Sequence, residues 1–338
     1  MDALVIEDIQ KASLRDVPDL ALGPHDVLVD VSFVGLCGSD LNTFLGLNPL
    51  VKLPRIPGHE VSGTVLKLGS AAGNEVSVGQ NVIFWPYTAC GKCTSCRSGR
   101  SNACRYNKTL GVQQDGALRS QMVVPAKNVI VDSSLSPQRQ ALVEPISVGF
   151  HAVRRGQIRS EDTVVIIGCG MIGMGAILGA SRQGAKVIAV DPIATKRDAA
   201  IAMGAQHFTT ATDETLLAEI SELTSDDGAD VVIEAVGLPS TFTGAVDMAA
   251  FGGRVVYVGY SKKPVSYQTQ LFNLKELDIM GSRNATRDDF QSVVTALQIL
   301  GDEADQLITK VFPIKEADQA LSYWVENRSN VLKLMIEF

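Results

Sequence analysis

The sequence lacks the excess of basic residues that a nucleic-acid-binding protein normally carries. Among its 338 residues, 30 lysines and arginines stand against 37 aspartates and glutamates, which gives a formal net charge of -7. Nucleic-acid-binding domains present a basic face to the phosphates. We therefore expect a small-molecule substrate and no nucleic-acid partner.

The sequence also lacks a long apolar run and an export signal. Its longest apolar stretch, residues 164–180, is short for a membrane span and contains five glycines. The segment Met1–Asp8 has neither a basic region nor a cleavage site of the secretory type. We expect a cytoplasmic protein that has no membrane partner.

Cysteine is scarce, but four of the six cysteines stand close together. Cys90, Cys93, Cys96 and Cys104 follow the spacing C-x2-C-x2-C-x7-C among glycine, serine, lysine and arginine, with few apolar side chains. Four thiolates at this spacing suit one tetrahedral zinc ion, whose binding would supply the folding energy of the segment. Two disulfides are the alternative, but nothing else in the chain indicates export. A closed four-cysteine set has no open position and predicts a structural zinc.

The hydrophobic pattern changes near residue 161. Before it, segments such as 27–34 alternate in the manner of half-buried strands, with turn residues between them. After it, short apolar strands at 163–167 and 186–190 alternate with helical segments, which predicts a parallel sheet covered by helices. The chain then returns to a mixed pattern and closes with a predicted strand at 331–338.

A glycine-rich turn follows the first of these apolar strands. Gly168-Cys-Gly-Met-Ile-Gly173 is a G-x-G-x-x-G motif between a strand and a helix, the context that marks a dinucleotide-binding turn. Asp191 ends the next strand, where a carboxylate can bind the adenosine ribose hydroxyls and repel a 2′-phosphate, which favours NAD. Two alternatives remain open: Asp191 caps the next helix, or Lys196 and Arg197 accommodate a 2′-phosphate.

A second set of possible metal ligands lies in other glycine-rich turns. Cys37 begins Cys-Gly-Ser-Asp, His59 lies in Gly-His-Glu, and Glu144 lies in Val-Glu-Pro. One sulfur, one nitrogen and one carboxylate oxygen leave a fourth position for water or substrate, which is the pattern of a catalytic zinc.

These motifs, in this order, resemble the zinc-dependent medium-chain alcohol dehydrogenases over the whole chain. Glu144 within Val-Glu-Pro resembles the sorbitol and threonine dehydrogenase branch. Three stretches are similar to bacterial hexonate oxidoreductases of the L-galactonate 5-dehydrogenase type: Gly111–Gly116, Ala141–Ile146 with Ala152–Arg155, and Met280–Thr286.

The resemblance implies an α/β fold in which one domain is inserted into another. A doubly wound Rossmann domain for NAD would span residues 149–285. A mostly β, GroES-like catalytic domain would span residues 1–148 and 286–338, with the structural zinc lobe at 86–106. We also expect a homo-oligomer, either a dimer or a tetramer.

The resemblance further implies two zinc ions per chain and a set of cofactor contacts. The catalytic zinc would bind Cys37, His59 and Glu144. Glu60 would be an alternate ligand or a carboxylate just outside the coordination shell of the metal. The implied cofactor contacts are Gly168, Gly170, Ile172, Gly173, Asp191, Val236, Val258, Gly259, Ser282 and Lys333.

The implied reaction is oxidation of a secondary alcohol. Zinc would act as a Lewis acid on the substrate hydroxyl while NAD accepts the hydride. Ser39, two residues after a zinc ligand, would take the alcohol proton. Many relatives have a histidine that passes this proton to solvent, but Asn42 occupies that position and cannot carry it.

Arg283 and Asn284 are the predicted substrate-selecting residues. A guanidinium in this turn can bind a carboxylate or several sugar hydroxyls, and a buried arginine would be costly without such a partner. A structural salt bridge of Arg283 is the alternative.

We therefore expect a polyol or sugar-acid dehydrogenase. Two other functions stay open: oxidation of an amino alcohol, as in threonine dehydrogenases, and a non-catalytic zinc-binding regulatory protein.

Overall fold

The computed structural model describes residues 1–338. Its strands are β1 (Asp2–Asp8), β2 (Lys11–Asp16), β3 (Asp26–Leu36), β4 (Glu60–Leu68), β5 (Asn81–Phe84), β6 (Gln121–Pro125), β7 (Val129–Val131), β8 (Thr163–Ile167), β9 (Lys186–Val190), β10 (His207–Thr209), β11 (Ala229–Glu234), β12 (Ala249–Tyr257), β13 (Asp278–Gly281), β14 (Ile308–Pro313) and β15 (Lys333–Glu337). Its α-helices are α1 (Gly38–Phe44), α2 (Thr94–Arg97), α3 (Pro137–Ala141), α4 (Val143–Arg155), α5 (Met171–Arg182), α6 (Arg197–Ala202), α7 (Asp213–Leu223), α8 (Pro239–Met248), α9 (Gln270–Leu274), α10 (Arg287–Leu300) and α11 (Ala317–Glu326). None of the helices is both long enough and apolar enough to cross a membrane.

The chain forms two compact units. The first consists of Met1–Glu144 and Leu297–Phe338, and the second of Pro145–Ala296. The second unit is thus an insertion in the first. The domain boundaries at 148/149 and 285/286 stay a prediction, since compactness alone does not define where a domain folds.

The inserted unit contains a six-stranded sheet in the order β10-β9-β8-β11-β12-β13. All neighbouring strands are parallel. The apolar sequence Thr163–Ile167 suits β8 because a central parallel strand is covered on both faces, and Val164, Val165 and Ile166 are fully buried. The chain reverses its direction of sheet growth between β8 and β11, the place where such sheets bind dinucleotides.

The first unit is built mainly on a seven-stranded sheet from both ends of the chain. The sheet follows the order β14-β15-β3-β4-β5-β7, and β6 also pairs with β3. The long strand β3 lies between β4 and β15, with Gly35 opposite Glu60 and Leu36 opposite Leu334. This register brings the start of β4 and the start of β15 to the same end of β3.

The predicted strands at 27–34, 163–167, 186–190 and 331–338 correspond to β3, β8, β9 and β15. The apolar segment 253–259 also predicts a strand, but β12 runs from Ala249 to Tyr257. As a result, Val258 and Gly259 lie in the loop after the strand.

Candidate metal centres and cofactor site

The four-cysteine lobe places its sulfurs at the spacing of a single tetrahedral ion. The Sγ atom of Cys93 lies 3.5 Å from that of Cys96 and 3.8 Å from that of Cys104. A zinc ion with Zn–S bonds of ~2.3 Å separates its sulfurs by about 3.8 Å. All six cysteines are free thiols in the structure, and none of them forms a disulfide.

The surroundings of these sulfurs shift the pKa values of two of the thiols in opposite directions. The Ser95 hydroxyl and nearby backbone N–H groups lower the pKa of Cys93 to about 5. Desolvation and contacts with neighbouring sulfurs raise the pKa of Cys96 to about 12. Cys93 and Cys96 therefore do not ionise equally by themselves, whereas a zinc ion would stabilise the sulfurs of the set as thiolates.

A second group of possible ligands lies at the end of β3 described above. Ligand atoms of Cys37, His59 and Glu60 all lie within 4.8 Å of one another. Cys37 precedes α1, and its backbone N–H donates to Asp40 at 2.9 Å, which fixes the start of the helix. His59 and Glu60 come from the beginning of β4.

Several buried polar atoms in this group have no hydrogen-bond partner. They are Ser39 Oγ, Asp40 Oδ1, His59 Nδ1 and Glu60 Oε1. Buried polar groups are normally paired, so this concentration indicates a bound group that supplies the missing interactions. The sulfur, nitrogen and oxygen donors fit zinc with one open position.

The charges of the group also favour a cation. Burial opposes protonation of His59, but the negative charge and hydrogen bond of Cys37, together with Asp40 and Glu144, raise the pKa of His59 well above its usual value. Burial raises the pKa of Asp40 and of Glu144. Both effects follow from crowding anionic groups in a buried place, and a divalent cation would relieve them.

Glu60 is anchored from the side opposite its unpaired oxygen. Its Oε2 atom accepts from Lys333 Nζ, which also donates to the carbonyl oxygen of Leu36 at 2.9 Å. A Cβ at Gly35 would collide with Glu60 Oε2, so glycine at this position makes room for the ion pair. Lys333 is fully buried by these contacts, which argues against the predicted contact between Lys333 and the cofactor pyrophosphate.

Glu144 does not belong to the compact ligand group. The structure brings Glu60, rather than Glu144, into contact distance with Cys37 and His59. The Oε1 atom of Glu144 instead accepts a hydrogen bond from the buried hydroxyl of Tyr87. The structure therefore groups Glu60 with Cys37 and His59, and a ligand role for Glu144 stays a prediction.

The glycine turn has the expected position between β8 and α5. Gly168 has a φ of 95°, and a Cβ at Gly173 would overlap the carbonyl oxygen of Gly168. Gly170 is exposed at the N-terminus of α5, with open space where a side chain would be, and Ile172 is half-buried in the first turn. The first turn of α5 can thus approach a phosphate closely.

Asp191 connects this turn with the strand beside it. Its Oδ2 atom accepts from Cys169 N and from Lys196 Nζ, each at 2.8 Å, and its Oδ1 atom accepts from Ile193 N at 3.0 Å. Because α6 begins only at Arg197, Asp191 does not cap that helix. Lys196 forms an ion pair with the carboxylate that was expected to select NAD, so the alternative that Lys196 accommodates a 2′-phosphate stays open.

Glu234 is a buried carboxylate that the sequence analysis missed. Its Oε1 atom accepts from Val236 N, Gly237 N and the Thr241 hydroxyl, so it shapes the loop that carries the exposed Val236. Its backbone oxygen accepts from the N–H groups of Val258 and Gly259. The signal for Glu234 was a charged residue at the end of an otherwise apolar strand.

The turn after β13 differs from expectation in one respect. Ser282 is buried with an unpaired hydroxyl, and Asn284 has a φ of 54°. Arg283 is exposed, so the argument from the cost of a buried arginine does not apply to it. The Nε atom of Arg155 donates to Gly281 O at 3.2 Å, which stabilises the start of the turn.

Comparisons with known proteins agree with this architecture. Residues 23–133 match the family model of the alcohol dehydrogenase GroES-like domain, and residues 172–298 match that of the zinc-binding dehydrogenases. L-galactonate-5-dehydrogenase of Escherichia coli K12 is 32% identical over 324 residues, which cover 96% of this chain and 94% of that protein. The chain belongs to the zinc-type medium-chain alcohol dehydrogenases, and the predicted family and fold class are confirmed.

Two solved structures show the same fold with a nicotinamide cofactor. One is an Escherichia coli CFT073 alcohol dehydrogenase complexed with NADH, with a TM-score of 0.92, 28% identity, and coverage of 100% of this chain and 99% of that one. The other, from Sinorhizobium meliloti 1021, is described as a zinc-binding dehydrogenase bound to NADP, with a TM-score of 0.89, 28% identity and the same coverage. The likeness supports a nicotinamide cofactor and does not choose between NAD and NADP.

Proposed function

We propose that this protein oxidises a secondary alcohol of a polyol or sugar acid to the ketone, with zinc and NAD. The observation that carries the proposal is the buried group of Cys37, His59 and Glu60, whose unpaired donors leave room for one further ligand. The relative that acts on L-galactonate supports a sugar acid as the substrate class.

Each residue of the group has a separate task in this proposal. Cys37, His59 and Glu60 would hold the metal, and Lys333 keeps Glu60 oriented through its second oxygen. Ser39 has a buried, unpaired hydroxyl two residues from Cys37. There it would accept the proton of the alcohol while releasing its own proton to water or to a ribose hydroxyl of the cofactor. When bound, zinc supplies Lewis acidity that lowers the pKa of a coordinated hydroxyl, and the nicotinamide supplies the hydride acceptor.

We propose that the cofactor is NAD because Asp191 places a carboxylate beside the glycine turn. A 2′-phosphate near this carboxylate would be repelled, and like charges brought together cost several kcal/mol. We expect kcat/KM to be at least ~10-fold higher with NAD than with NADP, equivalent to about 1.4 kcal/mol. Asp191→Ala should narrow this gap, while Asp318→Ala, which removes an exposed carboxylate from α11, should not. Equal kcat/KM values for wild type would mean that Lys196 neutralises Asp191 and accepts the phosphate.

The substrate class is tested by NADH production across hexonates, alditols, neutral sugars and L-threonine. Activity confined to L-threonine would favour the amino-alcohol alternative. A zinc-replete protein that is inactive with every substrate and cofactor would favour the non-catalytic alternative.

We propose that Arg283 recognises the polar end of the substrate. Because the guanidinium is exposed, solvent screens it, and we expect Arg283→Ala to lower kcat/KM for a hexonate by about 10-fold, or roughly 1.4 kcal/mol. The matching neutral polyol should be affected less. Arg328→Ala, at another exposed arginine, is the control. Equal losses for both substrates would show that Arg283 does not bind a carboxylate.

A further inference from the structure

Tyr87 carries a buried hydroxyl group beside the proposed catalytic metal site. Its side chain is 2% exposed, and its hydroxyl donates to the Oε1 atom of Glu144. It lies three residues before Cys90, the first cysteine of the four-cysteine lobe. None of the motifs that indicate the metal site includes this tyrosine.

The backbone that carries Tyr87 is fixed from both sides. The Nδ2 group of Asn128 donates to the carbonyl oxygens of Trp85 and Tyr87, at 2.9 and 3.0 Å. The next residue, Thr88, donates from its backbone N–H to Asn107 Oδ1 at 3.0 Å. The rings of Trp85 and Tyr87 pack edge to face with their centroids 5.9 Å apart. Tyr87 therefore presents its hydroxyl from a rigid support.

The two glutamates of the site are restrained in different ways. Glu60 uses one oxygen for Lys333, and its other oxygen is buried and unpaired within the ligand group. Glu144 lies outside that group, with one oxygen engaged by Tyr87. Both side chains are buried carboxylates, but their partners differ: Glu60 pairs with the ammonium group of Lys333, and Glu144 with the neutral hydroxyl of Tyr87.

We propose that Tyr87 is a positioning residue that holds Glu144 off the metal and so keeps the fourth coordination position open for the substrate hydroxyl. The proposal rests on the proposed function, since it concerns the same metal site. A buried carboxylate that loses a hydrogen-bond donor is left with an unsatisfied oxygen, which is costly. Glu144 lies close enough to His59 and Glu60 to interact electrostatically with both, so without the Tyr87 hydroxyl we expect it to turn to the metal as a fourth protein ligand.

The test is Tyr87→Phe, which keeps the buried ring and removes only the hydroxyl. Mutation of a residue that orients metal ligands without binding the metal typically changes metal affinity or activity by ~10- to 100-fold. We expect this variant to retain two metal ions, to lose its catalytic-site zinc to a chelator about 10-fold more slowly, and to show a kcat lowered by ~10-fold or more. Replacement of the catalytic zinc by Co²⁺ should give a visible spectrum that differs from that of wild type. Tyr106→Phe, at an exposed tyrosine, should match wild type in all four measurements.

Glu144→Gln provides a second, independent measurement. If Glu144 is held off the metal, Glu144→Gln should leave chelator release from the catalytic site unchanged. In the double variant Tyr87→Phe/Glu144→Gln, release should return to the wild-type rate, because no fourth carboxylate is present. Loss of the catalytic zinc in Glu144→Gln alone would overturn the proposal even if Tyr87→Phe failed to fold.

Different results would contradict the role of Tyr87 and the proposed dehydrogenase function. A wild-type protein that binds only the lobe zinc and reduces no cofactor contradicts the proposed function. A wild-type protein with two zinc ions and full activity, whose Tyr87→Phe variant matches it in spectrum and chelator release, contradicts only the role of Tyr87.

Discussion

Replacing Cys93 with serine is expected to release the zinc of the four-cysteine lobe and to unfold that part of the chain. The lobe contains only two short helical turns, α2 and the 3-10 turn Ser101–Ala103. Its backbone N–H groups donate to sulfur, as Cys93 N does to Cys90 Sγ at 3.3 Å. No side chain of α2 is buried, so the lobe has little apolar packing of its own. Metal binding must then supply most of its stability, and in isolated zinc fingers that contribution is ~10–16 kcal/mol.

The measurement is zinc content together with thermal unfolding and limited proteolysis. Cys93→Ser should fall from two zinc ions to one, unfold at a lower temperature and be cleaved within the lobe. Cys37→Ser is the matched control, since it removes one sulfur from the other ligand group; it should also lose one zinc but keep the lobe resistant to protease. A Cys93→Ser protein with two zinc ions and wild-type thermal stability would show that the lobe does not depend on its metal.

The fold could be predicted from the sequence where local pattern and tertiary burial agree. The strand at 163–167 is apolar throughout and is followed by glycines, and the structure has β8 and α5 at these positions. The start of β12 was missed because Ala249–Phe251 precedes two glycines, one of which, Gly252, has a φ of 72°. Parallel pairing with β11 makes this segment a strand despite that interruption, and sequence alone does not reveal pairing.

The proximity of one cysteine, one histidine and one glutamate could also be predicted, but which glutamate joins Cys37 and His59 could not. Glu60 and Glu144 are equally suitable donors in the sequence, and their order depends on partners far away along the chain. Lys333 reaches Glu60 because β15 pairs with β3. Tyr87 reaches Glu144 across 57 residues of sequence. Such pairings follow from strand register and not from any local motif.

Removing the His59 side chain should abolish most of the activity while leaving the fold intact. His59 contributes the only nitrogen ligand of the Cys37–His59–Glu60 group, and a bound metal of this kind stabilises transition-state charge by several kcal/mol. A loss of ~4 kcal/mol corresponds to about 10³-fold in rate. We therefore expect His59→Ala to retain one zinc, in the four-cysteine lobe, and to show a kcat/KM at least ~10³-fold below wild type.

The stability of the variant separates a catalytic role of His59 from a structural one. His59 lies just before the first residue of β4. Its Nδ1 atom has no hydrogen-bond partner, so the fold does not depend on that atom. NADH binding should persist in His59→Ala, because the glycine turn and Asp191 belong to the inserted unit. His25→Ala, at an exposed histidine of the first unit, serves as the control and should keep both zinc ions and full activity. If His59→Ala keeps two zinc ions and wild-type kcat/KM, this ligand group is not the catalytic metal site, and the mechanism proposed for it is wrong.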